Sequence, residues 1–152
     1  MANGKKIVIL GGGFAGLYAA LELERILHRR PELEVTLVNR ENFFLFTPML
    51  HEVAAGDLDL TNIVNPARKL LWHVSFFEGQ ARGIDLRERR VTVEHGFDGH
   101  THELEFDQIV LALGSTTQFF GLPGVEEKCS DHEIPVGCGE ASQPANRRSG
   151  GG

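Results

Sequence analysis

The sequence predicts an α/β fold: a parallel sheet with helices on both faces and a small antiparallel β flap. Three observations carry this. Two apolar runs, Lys6 to Leu10 and Glu34 to Val38, flank a proline-free amphipathic segment. The segments follow the order β-α-β-α-β-hairpin-β, which suits a layered sheet. The composition, 41% hydrophobic and 24% charged over 152 residues, fits one globular domain and excludes a collagen-like repeat or wholesale disorder.

Each element has a local cause. Lys6-Ile-Val-Ile-Leu10 is continuous and β-branched, as a strand buried on both faces requires. From Phe14 to His28 the only breaker is Gly16. Leu17, Ala20, Leu21 and Leu27 mark one helical face, with Glu22, Arg25 and Arg29 away from it. Pro31 stops that helix, and Glu34 to Val38 forms the second strand of a right-handed βαβ unit. Thr47 to Ala55 reads as a short helix ended by Gly56. Asn65-Pro66 opens another over Ala67 to Leu71, with proline at its tolerated first position. Val74 to Phe77 is the third strand. Arg90 to Glu94 and Thr101 to Glu105 alternate as a hairpin around Gly96 to Gly99, and Gln108 to Ala112 is a last apolar strand.

Charge and cysteine usage narrow the function. Lys+Arg 15 against Asp+Glu 21 leaves −6, which argues against a nucleic-acid module. Two cysteines, Cys129 and Cys138, are too few for a secreted disulfide scaffold, so a reducing cytoplasm is expected. Lys5-Lys6 before Ile7 to Leu10 imitates a signal peptide, but Gly11-Gly12-Gly13 interrupts the apolar run at once. No apolar stretch approaches the ~18 residues that span a bilayer.

Residues 128–152 differ from the rest. Only Ile134 and Val136 are large aliphatics, none is aromatic, and five are glycine. Such a segment cannot offset ~1–2 kcal/mol of backbone entropy per residue, so an unstructured tail is expected. Residues 1–127 are expected to carry the fold.

Gly11, Gly13 and Gly16 make G-x-G-x-x-G between a strand and a helix, the context that gives this pattern its specificity. Gly11 permits the turn, Gly13 lets the backbone approach a pyrophosphate, and Gly16 lets the helix pack on the sheet. The N–H groups and positive end of the helix meet the phosphate charge. A Rossmann-like dinucleotide-binding domain follows. The ribose position, about 20 residues further on, is usually acidic; here it is Asn39, 23 residues after Gly16. Its amide oxygen can accept from a ribose hydroxyl as a neutral partner. Arg40 can stack on adenine, pair with phosphate, or stand as a solvated surface arginine.

Three segments now carry a resemblance: Lys6 to Tyr18, Val35 to Leu60 (VTLVNRENFFLFTPMLHEVAAGDLDL) and Phe106 to Ser115 (FDQIVLALGS). In their order and spacing they resemble the amino-terminal part of type II NADH dehydrogenases, single-subunit NADH:quinone oxidoreductases of the pyridine nucleotide-disulfide oxidoreductase superfamily. The similarity covers roughly residues 5–127, and some members of that family also carry Asn at the position of Asn39. The resemblance implies that Gly11, Gly12, Gly13, Phe14, Ala15 and Gly16 hold the FAD pyrophosphate, and that Asn39 and Arg40 meet the adenosine ribose. It further implies that Thr47 lies near the flavin, that Ala81 offers backbone groups to the adenine, and that Ala112 and Gly114 pass under the cofactor. Hydride transfer from NADH to FAD, then electron transfer to a quinone, is the implied chemistry. Full-length relatives lie peripherally on the cytoplasmic membrane face.

Glu41 to Ala55 holds no cysteine, so thiol–disulfide catalysis is unsupported, and no catalytic side chain is assigned. His51-Glu52 begins like H-E-x-x-H, but Ala55 replaces the second ligand. His100 and His102 share a strand face without an evident third ligand, so no metal is expected. Phe43, Phe44 and Phe46 are expected in the core. The second nucleotide domain, the later segment completing the FAD site and the membrane-docking portion of such relatives are not in these 152 residues. With the composition break at 128, this is the pattern of a truncated or frameshifted product. Three readings stand: the flavin-binding portion of an FAD-dependent NADH:quinone oxidoreductase, a non-catalytic dinucleotide-binding module, and an inert fragment. A sheet edge left open favours self-association or a complementary chain.

Overall fold

The structure is a computed structural model and describes residues 4–95 and 99–115. The expected tail, with Cys129 and Cys138, lies outside the described residues, as do Gly96 to Asp98 at the tip of the expected hairpin.

The chain begins with β1 (Lys5–Leu10), α1 (Phe14–Leu27) and β2 (Leu33–Asn39). Next come β3 (Phe43–Leu45), a 3-10 turn (Thr47–Met49), α2 (Leu50–Ala55), a second such turn (Leu60–Asn62), β4 (Val64–Pro66) and α3 (Ala67–Leu70). The remainder is β5 (Ser75–Glu78), β6 (Gln80–Asp85), β7 (Arg90–Glu94), β8 (Thr101–Glu105) and β9 (Gln108–Leu111). The parallel sheet has the order β5-β2-β1-β9, β3 pairs with β4, and β6-β7-β8 form an antiparallel sheet. The Rossmann-like parallel sheet, its helices and its antiparallel flap follow the expectation.

The period-two alternation of β1 decides the layering. Ile7 and Ile9, in register with Val35 and Leu37, point to one face and meet Leu17, Ala20 and Leu27 of α1. Val8, Leu10 and Val38 point to the other face and meet Val91, Val93 and Phe106. Helices on both faces were expected; among the described residues the second face is covered by the flap instead. Short β-branched strands with one apolar face can cover a sheet as a helix can, which the alternation of Val91 and Val93 already allowed.

The flap also gains a strand that the sequence hid. Gln80–Asp85 pairs along β7 although five of its six residues are exposed, so no apolar alternation announces it. Pro66 is corrected as well. It ends β4 opposite Phe43 and serves as the N-cap of α3, one residue before the first helical position. The helix expected over Thr47 to Ala55 is a 3-10 turn followed by α2, closed by Gly56 in the left-handed conformation (φ 83°).

One half-buried carboxylate ties α1 to the loop before β5. Glu24, its side chain 14% exposed, accepts the N–H groups of Trp72 (3.2 Å), His73 (2.6 Å) and Val74 (3.0 Å), and meets His73 Nδ1 at 2.6 Å. Burial is the largest single influence on this carboxyl and raises its pKa. The hydrogen bonds from Val74, His73 and Trp72 together outweigh it, and the group titrates below its ordinary 4.5. This links the loop before β5 to the helix behind the candidate site.

Candidate functional site

The chain leaves β1 toward β2 and β5 on one side, and β9 lies on the other. The carboxyl end of β1 is therefore the switch point of the sheet, where open α/β sheets bind ligands. The glycine turn, Asn39, Ala112 and Gly114 all lie at this end.

The motif glycines differ in their reasons for being glycine. Gly11 has φ 101°, and a Cβ there falls 2.2 Å from the Ala112 carbonyl oxygen. At Gly16 a Cβ falls 1.7 Å from the Gly11 carbonyl oxygen and 3.3 Å from Ala112 Cβ, so the helix rests directly on the turn. At Gly12 it falls 2.7 Å from Asn39 Cγ. Gly13 is the contrast: its backbone is extended (φ −71°, ψ −165°) and a Cβ there meets nothing within 4 Å among the described residues. Folding alone therefore gives no reason for glycine at position 13.

Gly13 is also the N-cap of α1, with no side-chain cap and no acidic residue in the first turn. The first helical bond runs from Leu17 N–H to the Gly13 carbonyl (2.9 Å). An α-helix has no partner of its own for its first N–H groups. Here those of Phe14, Ala15 and Gly16 meet no capping side chain, beside open space at Gly13. A diphosphate fits this arrangement, because it supplies acceptors and negative charge at the positive helix end.

The other expected site residues divide in two. Asn39 and Ala112 are joined to β1: Gly12 N–H donates to Asn39 Oδ1 (2.8 Å), and Ala112 N–H donates to the Leu10 carbonyl (2.8 Å). Gly114 follows β9 with φ 74°, and a Cβ there meets nothing within 4 Å among the described residues. Arg40 is exposed and ion-pairs with Glu41 (Nε to Oε1, 3.4 Å). Thr47 is exposed and starts the 3-10 turn. It is tied to the glycine turn through its neighbour Phe46, whose ring lies 5.5 Å from that of Phe14. Phe14 also packs edge-on against Phe44 at 5.0 Å. Phe44 is buried as expected, while Phe43 and Phe46 are half-buried. Ala81 lies in β6, opposite Val93.

Sequence reasoning did not single out Gly79. Its N–H donates to the Asn39 carbonyl (2.8 Å), and a Cβ there falls 2.7 Å from Val93 Cγ1. It carries the chain from the parallel sheet into the flap. The only signal was the lone glycine directly after the β5 pattern.

His51 is exposed and lies 3.9 Å from its half-buried neighbour Glu52. A cleft of about 380 Å³ lies toward the amino-terminal ends of β1 and β2, against β7 and β8. It holds none of the expected site residues. Among the described residues no helix is long and apolar enough to cross a membrane.

With this geometry in view, comparisons place the chain among known proteins. It matches the pyridine nucleotide-disulphide oxidoreductase family over residues 5–147. It is 37% identical over 127 residues to a demethylphylloquinone reductase of Synechocystis, covering 80% of this chain and 31% of that protein. It is 28% identical over 141 residues to a type II NADH:quinone oxidoreductase of Staphylococcus aureus, covering 91% of this chain and 33% of the relative. The chain thus spans about a third of the length of these curated relatives. Among solved structures, the NDH2 of Plasmodium falciparum shares the fold with a TM-score of 0.71 at 22% identity, covering 82% of this chain and 25% of that one.

Proposed function

Because the chain belongs to the pyridine nucleotide-disulphide oxidoreductase family, we propose that it is the FAD-binding portion of an NADH:quinone oxidoreductase of the type II NADH dehydrogenase kind. The observation that carries this is the uncapped start of α1 facing open space at Gly13. The quinone-reductase and NADH:quinone oxidoreductase names of its relatives support the choice of electron donor and acceptor. NADH and a quinone are the proposed substrates of the whole enzyme, which would work at the cytoplasmic membrane face.

The residues that would hold FAD are those of the turn. Gly11 and Gly12 hold the turn, Gly13 to Gly16 would present backbone N–H groups to the diphosphate, and Gly13 leaves room for it. Arg40 stands beside the end of β2, where an adenosine would lie. Thr47, Ala81, Ala112 and Gly114 are proposed around the remainder of the cofactor. Bound FAD supplies the hydride-accepting and electron-donating chemistry; this chain's part is to bind and orient it.

The test is the visible spectrum and calorimetry of the purified chain titrated with FAD. Saturable binding with a flavin spectrum is expected, and Gly13→Val should remove it. Absence of both heat and thermal shift would overturn the proposal. Bleaching of bound flavin by NADH, with colour restored by an added quinone, would assign turnover to the chain itself; bound flavin without bleaching would confine its role to the cofactor.

A further inference from the structure

Asn39 stands where the glycine-turn fold usually places a reader of the ribose, yet its carboxamide is engaged elsewhere. Oδ1 accepts the Gly12 N–H (2.8 Å) and Nδ2 donates to the Glu41 carbonyl (2.8 Å). The direction is chemically fixed, since a backbone N–H only donates and a backbone carbonyl only accepts. The Asn39 backbone carbonyl takes a further bond from Gly79 N–H (2.8 Å).

These contacts continue the parallel ladder beyond its strands. Gly11 N–H donates to the Val38 carbonyl (2.8 Å), the last rung made by backbone alone. One residue later the Asn39 side chain supplies the acceptor that no β2 peptide group offers to Gly12. The carboxamide, itself a peptide-like group, acts as one more rung. It lies so close to the Gly12 backbone that a Cβ there would fall 2.7 Å from its Cγ. The turn that leads into Gly13 and the start of α1 is thereby fastened to the end of β2.

We propose that Asn39 is a positioning residue for the diphosphate: it holds Gly12 so that Gly13 and the first-turn N–H groups of α1 keep their anion-binding geometry, and it does not read the ribose hydroxyls. This rests on the dinucleotide reading above. It also accounts for a neutral amide at a usually acidic position. A carboxylate keeps the acceptor toward Gly12 but has no hydrogen for the Glu41 carbonyl.

The test is a thermodynamic cycle by calorimetry, with ADP and 2′,3′-dideoxy-ADP as probes and the chain compared with Asn39→Ala and Asn39→Asp. Asn39→Ala should weaken both probes by the same factor, about tenfold or more. Asn39→Asp, which keeps the size and the Gly12 contact, should also weaken both equally, and it carries the test should Asn39→Ala not fold. A loss confined to ADP, or tighter ADP binding by Asn39→Asp, would mean that the residue reads the ribose; that overturns this inference and leaves the dinucleotide reading standing. Failure of the unaltered chain to bind either probe would overturn both.

Discussion

Replacing Gly13 by aspartate should separate folding from binding at a single residue. The backbone there is extended and the space around it open, so any L residue fits without strain. At this N-cap position an aspartate carboxylate can accept a first-turn N–H and sits at the positive helix end. Capping and charge together stabilise α1 by about 0.5–1 kcal/mol. The thermal midpoint should then rise by about 2–5 °C. The same carboxylate occupies the position proposed for the diphosphate. Two like charges 4 Å apart repel by about 4 kcal/mol at an effective dielectric of ~20, which corresponds to roughly a thousandfold in affinity. Thermal unfolding followed by dichroism reads the first effect, and calorimetric titration with FAD reads the second. A raised midpoint with FAD affinity unchanged within about threefold would refute the reasoning, because the phosphate would then bind elsewhere.

The remaining expectations concern stability. Gly16→Ala places a Cβ 1.7 Å from the Gly11 carbonyl oxygen, so α1 must lift from β1 at a cost of about 1–3 kcal/mol, visible as a lower urea midpoint even without ligand. Leu37→Ala empties a fully buried position on the α1 face of the sheet and should cost about 2–5 kcal/mol by the same measurement. Glu24→Gln removes the charge that three backbone N–H groups and His73 converge on, for a loss of about 1–2 kcal/mol at neutral pH. Because the folded carboxyl titrates below its ordinary 4.5, its contribution is fully present above that value and disappears as pH falls through the folded pKa. The gap in urea midpoint between the unaltered chain and Glu24→Gln should therefore close on acidification, and a gap constant from pH 7 down to pH 2 would contradict the assignment.

What was legible in the sequence is what local pattern controls. The run Lys6 to Leu10 is apolar on both faces and reads as an interior strand, Glu34 to Val38 reads as the second strand of the βαβ unit, and β1 and β2 lie within one residue of the expected bounds. The helix over Phe14–Leu27 follows from its apolar stripe, and the role proposed for the turn before it rests on glycine spacing. What stayed hidden depends on contacts distant along the chain. β3 and β4 are three residues each and exist because Phe43 to Leu45 finds Val64 to Pro66 about twenty residues later. β6 has an exposed, charged face and becomes a strand only through β7. Glu24 reads as one more surface acid of a helix until the loop before β5 folds over it. Asn39 was legible by position but not by role. Spacing alone cannot show that its amide is already committed to Gly12 and Glu41.

The same contrast explains how a site with so little side chain can select a ligand. Gly11, Gly12, Gly16 and Ala112 bring almost no functional groups to the carboxyl end of β1, and the nearby cation, Arg40, is paired with Glu41. Attraction for a diphosphate must then come from peptide N–H groups and the helix dipole, whose strength depends on where the backbone lies. That placement is set by residues whose side chains point away from the ligand or are missing. Gly16 fixes how near α1 stands to β1, Gly11 fixes the angle of the turn, and Asn39 fastens Gly12 to β2. On the proposed reading, Gly13 alone is kept small for the ligand's sake. The six-residue glycine turn would then contain two separable requirements, one met in the folded chain and one met only when the proposed phosphate arrives. Substitutions that leave the fold intact and those that leave binding intact should fall at different glycines of the same motif.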